Sequence, residues 1–195
     1  MEGGAMFQKT GRTAVIALGI LGCLATAQGA PQEAEPVAAA AKGESIQEAP
    51  SPAQVFGKFQ ALAGTWRGRS TKGWTGEASF EVIAAGSVVV ETSRFQAHPD
   101  ETMMTMYHLD GSAMLLTHYC VAKNQPRLQM SSLAEDGKKV TFRFRDGTNL
   151  ASRNQGHMDS VVYQFEDADH FTSQWSFYKD GREEWMEEIH YERIR

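Results

Sequence analysis

The chain has 195 residues, 42% of them hydrophobic, with 24 acidic against 19 basic side chains and a formal net charge of −5. A mildly acidic balance offers no electrostatic footprint for nucleic acid, which needs a concentrated basic face. Two cysteines make neither a disulfide framework nor a four-ligand zinc site, so the length fits one globular domain plus an additional segment.

Residues 1–27 read as a signal peptide. Lys9 and Arg12 precede an uncharged run from Thr13 to Ala27 that ends in Ala25-Thr26-Ala27. That run is shorter than the roughly 20 residues a membrane-spanning helix needs, so export to the periplasm or the extracellular space is expected. Two processing routes stay open. The small residues at 25 and 27 suit cleavage to a soluble chain beginning at Gln28, which is the preferred reading. Ile20-Leu21-Gly22-Cys23 resembles a lipobox, which would make Cys23 a lipid anchor and the sole membrane attachment. Residues 28–50 are rich in Ala, Glu, Pro and Gln, with Val37 and Ile46 as their only large apolar side chains. Such a segment buries too little surface to offset its ordering entropy and reads as a disordered tether.

The folded domain is expected over residues 51–195. Ser51-Pro52 supplies an N-cap and a proline at the first helical position, and Val55, Phe56, Phe59 and Leu62 follow at one-face spacing, predicting a short helix. After Gly64 the hydrophobic period changes to two. Turn signals then recur at Ala85-Gly86, Asp110-Gly111, Asp136-Gly137 and Asp180-Gly181. About ten strands fit before Arg193, with no helical stretch for a parallel crossover. Consecutive hairpins imply an up-and-down meander, and closure removes its exposed edges. The expectation is all-β: a single antiparallel barrel of about ten strands with a short N-terminal helix.

Two-residue turns make the flanking residues partners, and partners share a face. Across Ala85-Gly86, Phe80 falls beside Glu91, Val82 beside Val89 and Ala78 beside Ser93. Around Asp110-Gly111, one face holds Met103, Thr105, Tyr107, Met114, Leu116, His118 and Cys120, and the other holds Met104, Met106, His108, Leu115, Thr117 and Tyr119. Both are apolar, and face composition selects the His118 side as inward. Across Asp136-Gly137, Val140, Phe142 and Phe144 accompany Leu133, Ser131 and Gln129. Pairing Lys179 with Arg182 sets Phe171, Ser173, Trp175 and Phe177 beside His190, Glu188, Met186 and Glu184, all expected to point inward.

The inferred interior thus mixes aromatic residues and methionine with several polar groups, each costing about 1 to 3 kcal/mol if buried without a partner. A barrel of this size has room for a ligand. A small, largely apolar molecule is therefore expected inside, with Tyr107, Phe142, Trp175 and Phe177 as apolar wall and Glu91, His118 and Gln129 as polar fixers.

Leu62-Ala63-Gly64-Thr65-Trp66-Arg67-Gly68, directly after the helix, resembles the Gly-x-Trp opening of lipocalins and other calycin barrels. The resemblance extends over Val55 to Arg195. It is nearest to the lipocalin-like domains of exported bacterial proteins of unassigned function, in which stretches like Leu116-Thr117-His118-Tyr119-Cys120 and Asn124-Gln125-Pro126-Arg127 occur. It implies structural roles for Gly64, for Trp66, and for Arg193 or Arg195, one of which packs across the indole. The segment is also similar to the start of nitrobindins, ten-stranded haem-binding barrels with an axial histidine near the C-terminus, where this chain has His190. The chain departs from them after Trp66, reading Arg69-Ser70-Thr71-Lys72-Gly73-Trp74 in place of a glycine-rich Tyr-Pro segment. The resemblance therefore implies the barrel more than the haem, and no cofactor is expected.

Other chemistry finds little support. The six histidines form no His-x-His or His-x-x-x-His pair, so no metal site is expected. His118 and Cys120 share a strand face at roughly 7 Å, beyond hydrogen-bond reach. Glu91, Glu184 and Glu188 could supply an acid and base if two met across the barrel, although pairing with Arg127, a lysine or His190 is the simpler role for them. No phosphate-binding glycine loop, Gly-x-Ser-x-Gly elbow or Cys-x-x-Cys pair is present. A non-enzymatic binding module is the leading reading; the alternatives are an enzyme on the same barrel with Glu91 or His118 as base, a haem-binding nitrobindin-like protein, and an envelope-associated structural protein whose barrel is filled by its own side chains.

Overall fold

A computed structural model describes residues 51–195; the signal segment, Cys23 and the tether lie outside the described residues. Helix α1 spans Pro52–Ala61, with Ser51 as N-cap in a reciprocal capping box with Gln54. Ten strands follow: β1 Gly64–Ser70, β2 Thr75–Ile83, β3 Val88–Phe95, β4 Met103–Asp110, β5 Ala113–Tyr119, β6 Gln125–Leu133, β7 Lys139–Thr148, β8 His157–Phe165, β9 His170–Lys179 and β10 Arg182–Ile194. Each pairs antiparallel with its neighbour in sequence, and β1 pairs with β10 to close the barrel. The Asp180-Gly181 turn has both residues at positive φ, 51° and 81°, the twist a two-residue hairpin requires.

Helix α1 covers one barrel end. Val55, Phe56, Phe59 and Leu62 are buried, and Phe59 lies against Tyr107, Phe142, Tyr163 and Phe165. Gln60 donates to the Gly86 carbonyl at 2.8 Å, fastening the helix to the β2–β3 connection. Trp66 is fully buried, donates from Nε1 to the Leu62 carbonyl at 2.7 Å, and carries the Arg193 guanidinium 4.2 Å above its ring. Arg193 also donates to the carbonyls of Ala61, Ala63 and Ala168, tying the helix end, the α1–β1 link and the β8–β9 connection to the last strand. Gly64, at φ 126°, lies where a Cβ would meet that guanidinium at 3.1 Å. The structural trio expected of Gly64, Trp66 and Arg193 therefore assembles in one place.

The register expected across Ala85-Gly86 holds; around Asp110-Gly111 the faces are as expected, but the turn falls at Gly111-Ser112, which sets Asp110 opposite Ala113 and displaces the pairing by two residues. Phe80 faces Glu91, Val82 faces Val89, and Thr105 faces His118, with Met103, Thr105, Tyr107, Met114, Leu116 and His118 all buried. Two other registers are corrected, in each case by a β-bulge, which inserts one residue and exchanges the faces beyond it. In β6 the pairing shifts between Met130 and Ser132. Gln129 consequently sits opposite Arg143 and is exposed, Ser131 is exposed too, and Leu128 takes the interior.

In β10 the pairing shifts between Trp185 and Glu188. Lys179 still pairs with Arg182, but beyond the bulge Tyr191 faces Phe171 and Ile189 faces Ser173. Ile189 and Tyr191 therefore point inward. His190 points outward, its side chain 54% exposed and 3.0 Å from the Glu188 carboxylate. Glu184 pairs with Phe177 but is solvent-exposed near the turn, beside Arg182.

Candidate functional site

Because loops alternate between the ends of a meander, the connections β1–β2, β3–β4, β5–β6, β7–β8 and β9–β10 gather at the end opposite α1. There the interior opens into a cavity of about 90 Å³. Trp74, Phe95, Met103, Met158, Trp175, Met186 and Ile189 form most of its apolar wall, and Ser93, Thr105, Glu91, His118, Glu187 and Tyr191 bring polar groups to it. Inward alternation on β3, β4 and β5 delivers Ser93 and Glu91, Met103 and Thr105, and His118 at matching heights. The β10 bulge turns Glu187, Ile189 and Tyr191 to the same space.

Glu91 stands at the floor, where a hydrogen-bonded row begins. Its Oε2 accepts from the Tyr107 hydroxyl at 2.5 Å, and the Tyr107 and Tyr163 hydroxyls are 2.6 Å apart. With Tyr107 donating to the carboxylate, Tyr163 donates to Tyr107. Among the described residues, the other Glu91 oxygen has no protein hydrogen-bond partner and no lysine or arginine forms an ion pair with the carboxylate. Burial pushes the Glu91 carboxyl up from its usual 4.5 to about 7, opposed by the bond from Tyr107. Both tyrosines are held well above their usual ionisation range, chiefly by burial, and stay neutral.

His118 is the second polar group of the wall. Its Nδ1 lies 2.9 Å from Thr105 Oγ1, and its ring packs 4.7 Å from Trp175. Its Nε2 is buried and has no hydrogen-bond partner. Burial lowers its pKa from 6.5 to about 4, so the imidazole is neutral at pH 7. A neutral ring has one donor and one acceptor nitrogen, and the freely rotating Thr105 hydroxyl can complement either at Nδ1. Nε2 can thus act as donor or acceptor.

The rim carries charges that are already paired. Glu187 accepts from Trp74 Nε1 at 2.9 Å and lies 3.1 Å from Lys72 Nζ, and His98 lies 3.4 Å from Glu101. Among the described residues, no cluster of three metal-ligating side chains occurs.

Of the side chains expected at the site, the structure brings Glu91, His118 and Trp175 to the cavity. Tyr107 lies behind Glu91 as its hydrogen-bond donor. Phe142 is fully buried against Phe59 and Tyr163, in the packed half of the barrel. Phe177 is half-buried beside Gly156, where a Cβ on that glycine would meet its ring at 2.7 Å. It does not line the cavity. Gln129 and His190 lie outside the barrel wall, and with His190 turned outward and a cavity far smaller than a porphyrin, the residues present do not fit haem.

Trp74, Phe95, Thr105, Glu187, Ile189 and Tyr191 were not singled out from the sequence as ligand contacts. Thr105 was legible as a member of the same strand face as His118. Ile189 and Tyr191 were legible as the apolar members of an alternating Glu-Ile-His-Tyr-Glu run. Phe95 was legible by alternation from Val89, Glu91 and Ser93, whereas Trp74 stands in the β1–β2 loop, where the period of two gives no direction.

No protein-family model and no curated protein matches the sequence. Among solved structures, a protein of unknown function of the DUF3598 family from Nostoc punctiforme is similar at a TM-score of 0.46 and 14% sequence identity. The match covers 70% of this chain and 49% of that one, so this chain spans about half the length of that neighbour.

Proposed function

We propose that this chain is an exported, calycin-like binding protein whose barrel holds a small, largely apolar molecule with one polar handle at the end opposite α1. The observation that carries the reading is His118 Nε2: a buried, unpartnered nitrogen in the wall of a mostly apolar cavity. Leaving such an atom unsatisfied costs about 1 to 3 kcal/mol, and a ligand's polar group removes that penalty. The resemblance at Gly64-Thr65-Trp66 and the arginine over Trp66 support the calycin comparison. The basic, apolar and small-residue order of residues 1–27 supports export.

Native mass spectrometry of the chain purified from its own host tests the reading. The expected result is a retained small mass in the wild type that is lost in Ser93→Leu, which fills the cavity while keeping the Glu91 and His118 side chains. A chain that carries no small molecule, and whose tryptophan emission is unmoved by small apolar alcohols, would overturn it.

One observation favours a second reading, an enzyme on the same site. A carboxyl titrating near pH 7 with one oxygen free is matched to proton transfer. Glu91 would then abstract a proton adjacent to a carbonyl polarised by His118. Deuterium exchange from D2O into a small ketone, abolished in Glu91→Gln, is the expected signature. Exchange no faster than in buffer excludes it.

A further inference from the structure

The ligand's chemical class can be narrowed from the charges around Glu91, an inference that rests on the binding reading above. We propose that the cavity takes a small organic cation, a primary amine on a short branched or cyclic hydrocarbon, with the ammonium on Glu91 and the hydrocarbon among Trp74, Phe95, Trp175 and Tyr191.

The first argument is charge balance. Glu91 is 7% exposed and forms no ion pair with any lysine or arginine among the described residues. The titratable groups around it are Tyr107 and Tyr163 beneath, Tyr191 from β10 and His118 from β5, all neutral at pH 7. The rim adds Glu187, neutralised by Lys72, and His98 beside Glu101. Above pH 7, where Glu91 is ionised, the cavity therefore contains a carboxylate and no counter-charge, and a cation brought to that buried carboxylate stabilises it.

The second argument is the hydrogen-bonded row. Tyr163 donating to Tyr107, and Tyr107 to Glu91, is fully satisfied with Glu91 ionised, leaving one oxygen to receive an N–H from the ligand. The third is the wall. Four aromatic side chains border the cavity, and aromatic faces attract cations while accepting hydrocarbon. An anionic ligand meets the opposite on every count. A neutral alcohol gains the wall and the His118 contact but leaves the charge unmatched.

Calorimetric titration of the full chain with three near-isosteric probes tests this: 3-methylbutylamine, 3-methylbutan-1-ol and 3-methylbutanoate. At pH 8 the amine should bind at least tenfold more tightly than the alcohol, and the carboxylate should not bind measurably. Below pH 7, amine affinity should fall about tenfold per pH unit as Glu91 takes up its proton, while alcohol affinity stays level. Glu91→Gln should lose the amine preference and keep the alcohol. If the alcohol binds as tightly as the amine, or amine affinity is flat from pH 8 to pH 5.5 in the wild type, the cation inference fails and the binding reading stands. If none of the three binds, both fall.

Discussion

Glu91 and His118 make opposite demands on stability over the same range of pH. In the folded chain Glu91 ionises near pH 7 instead of 4.5. Between those values the folded state holds a proton that the unfolded state has released, so stability declines as pH rises through the interval and the loss is complete above 7. At about 1.4 kcal/mol per pH unit, the loss amounts to about 3 kcal/mol. His118 protonates near pH 4 instead of 6.5. Its neutral form is the one the fold accepts, so stability declines as pH falls from 6.5 to 4, again by about 3 kcal/mol.

One contribution rises as the other falls, and their sum stays nearly level from pH 4 to 7. The wild type conceals both effects, and replacing either residue by a neutral isostere exposes the other. Urea unfolding at pH 4, 5.5 and 7 supplies the measurement, with each variant compared with wild type at the same pH so that the remaining titrating groups cancel. Relative to wild type, Glu91→Gln should gain about 3 kcal/mol between pH 4 and pH 7. His118→Gln should gain a similar amount between pH 7 and pH 4. Constant offsets from altered packing do not affect these slopes. Variant curves parallel to wild type would show that the two groups are not held as the cavity geometry requires, and the electrostatic argument for the site would fail with them.

Trp66→Ala should cost about 3 to 5 kcal/mol, since a fully buried indole and its bond to Leu62 are lost together; thermal or urea unfolding checks it, and wild-type stability would contradict the closed-end packing. The β10 bulge predicts that, in a Cys120→Ser background, His190→Cys reacts rapidly with a bulky thiol reagent while Ile189→Cys is protected, and the reverse order would restore the unbulged register. Gly76→Ala should destabilise by about 1 to 3 kcal/mol, because the new Cβ would lie 2.2 Å from the Phe95 ring, and unchanged stability would show that ring free to move.

What the sequence disclosed follows from where periodicity and turns agree. Around Ala85-Gly86, counting outward from the turn gives the pairing observed through Glu91; around Asp110-Gly111 it gives the shared inward face of Thr105 and His118, while the turn at Gly111-Ser112 moves the pairing itself by two residues. In β10 the two signals conflict. Counting from Asp180-Gly181 puts Glu188 and His190 inside, whereas the pleat of Ile189 and Tyr191 puts them outside. A sheet can honour both only by inserting a residue, which the strand does between Trp185 and Glu188. The conflict itself was the legible trace of the bulge. β6 carries the same conflict: counting from Asp136-Gly137 puts Gln129 and Ser131 inside, whereas the alternation of Leu128 and Met130 with Arg127, Gln129 and Ser131 puts those two outside, and the pairing shifts between Met130 and Ser132. Loop residues such as Trp74 have no period at all, and their approach to the site depends on long-range contacts such as the one with Glu187.

The two barrel ends differ although the same strands build both. At the α1 end, Phe59 fills the interior among Tyr107, Phe142, Tyr163 and Phe165, while Trp66 and Phe80 pack on Phe171. Two residues along β3 and β5, the inward positions change from Val89 to Glu91 and from Leu116 to His118, and beyond Glu91 comes Ser93. The Tyr163–Tyr107–Glu91 row lies at that boundary, with phenol rings in the packed half and a carboxylate facing the open half. A barrel filled only for stability would continue Val and Leu upward, since an apolar side chain at 91 would remove the burial cost that lifts the carboxyl to about 7. The fold bears that cost at one height and on the side away from the helix, where a bound cation would offset it.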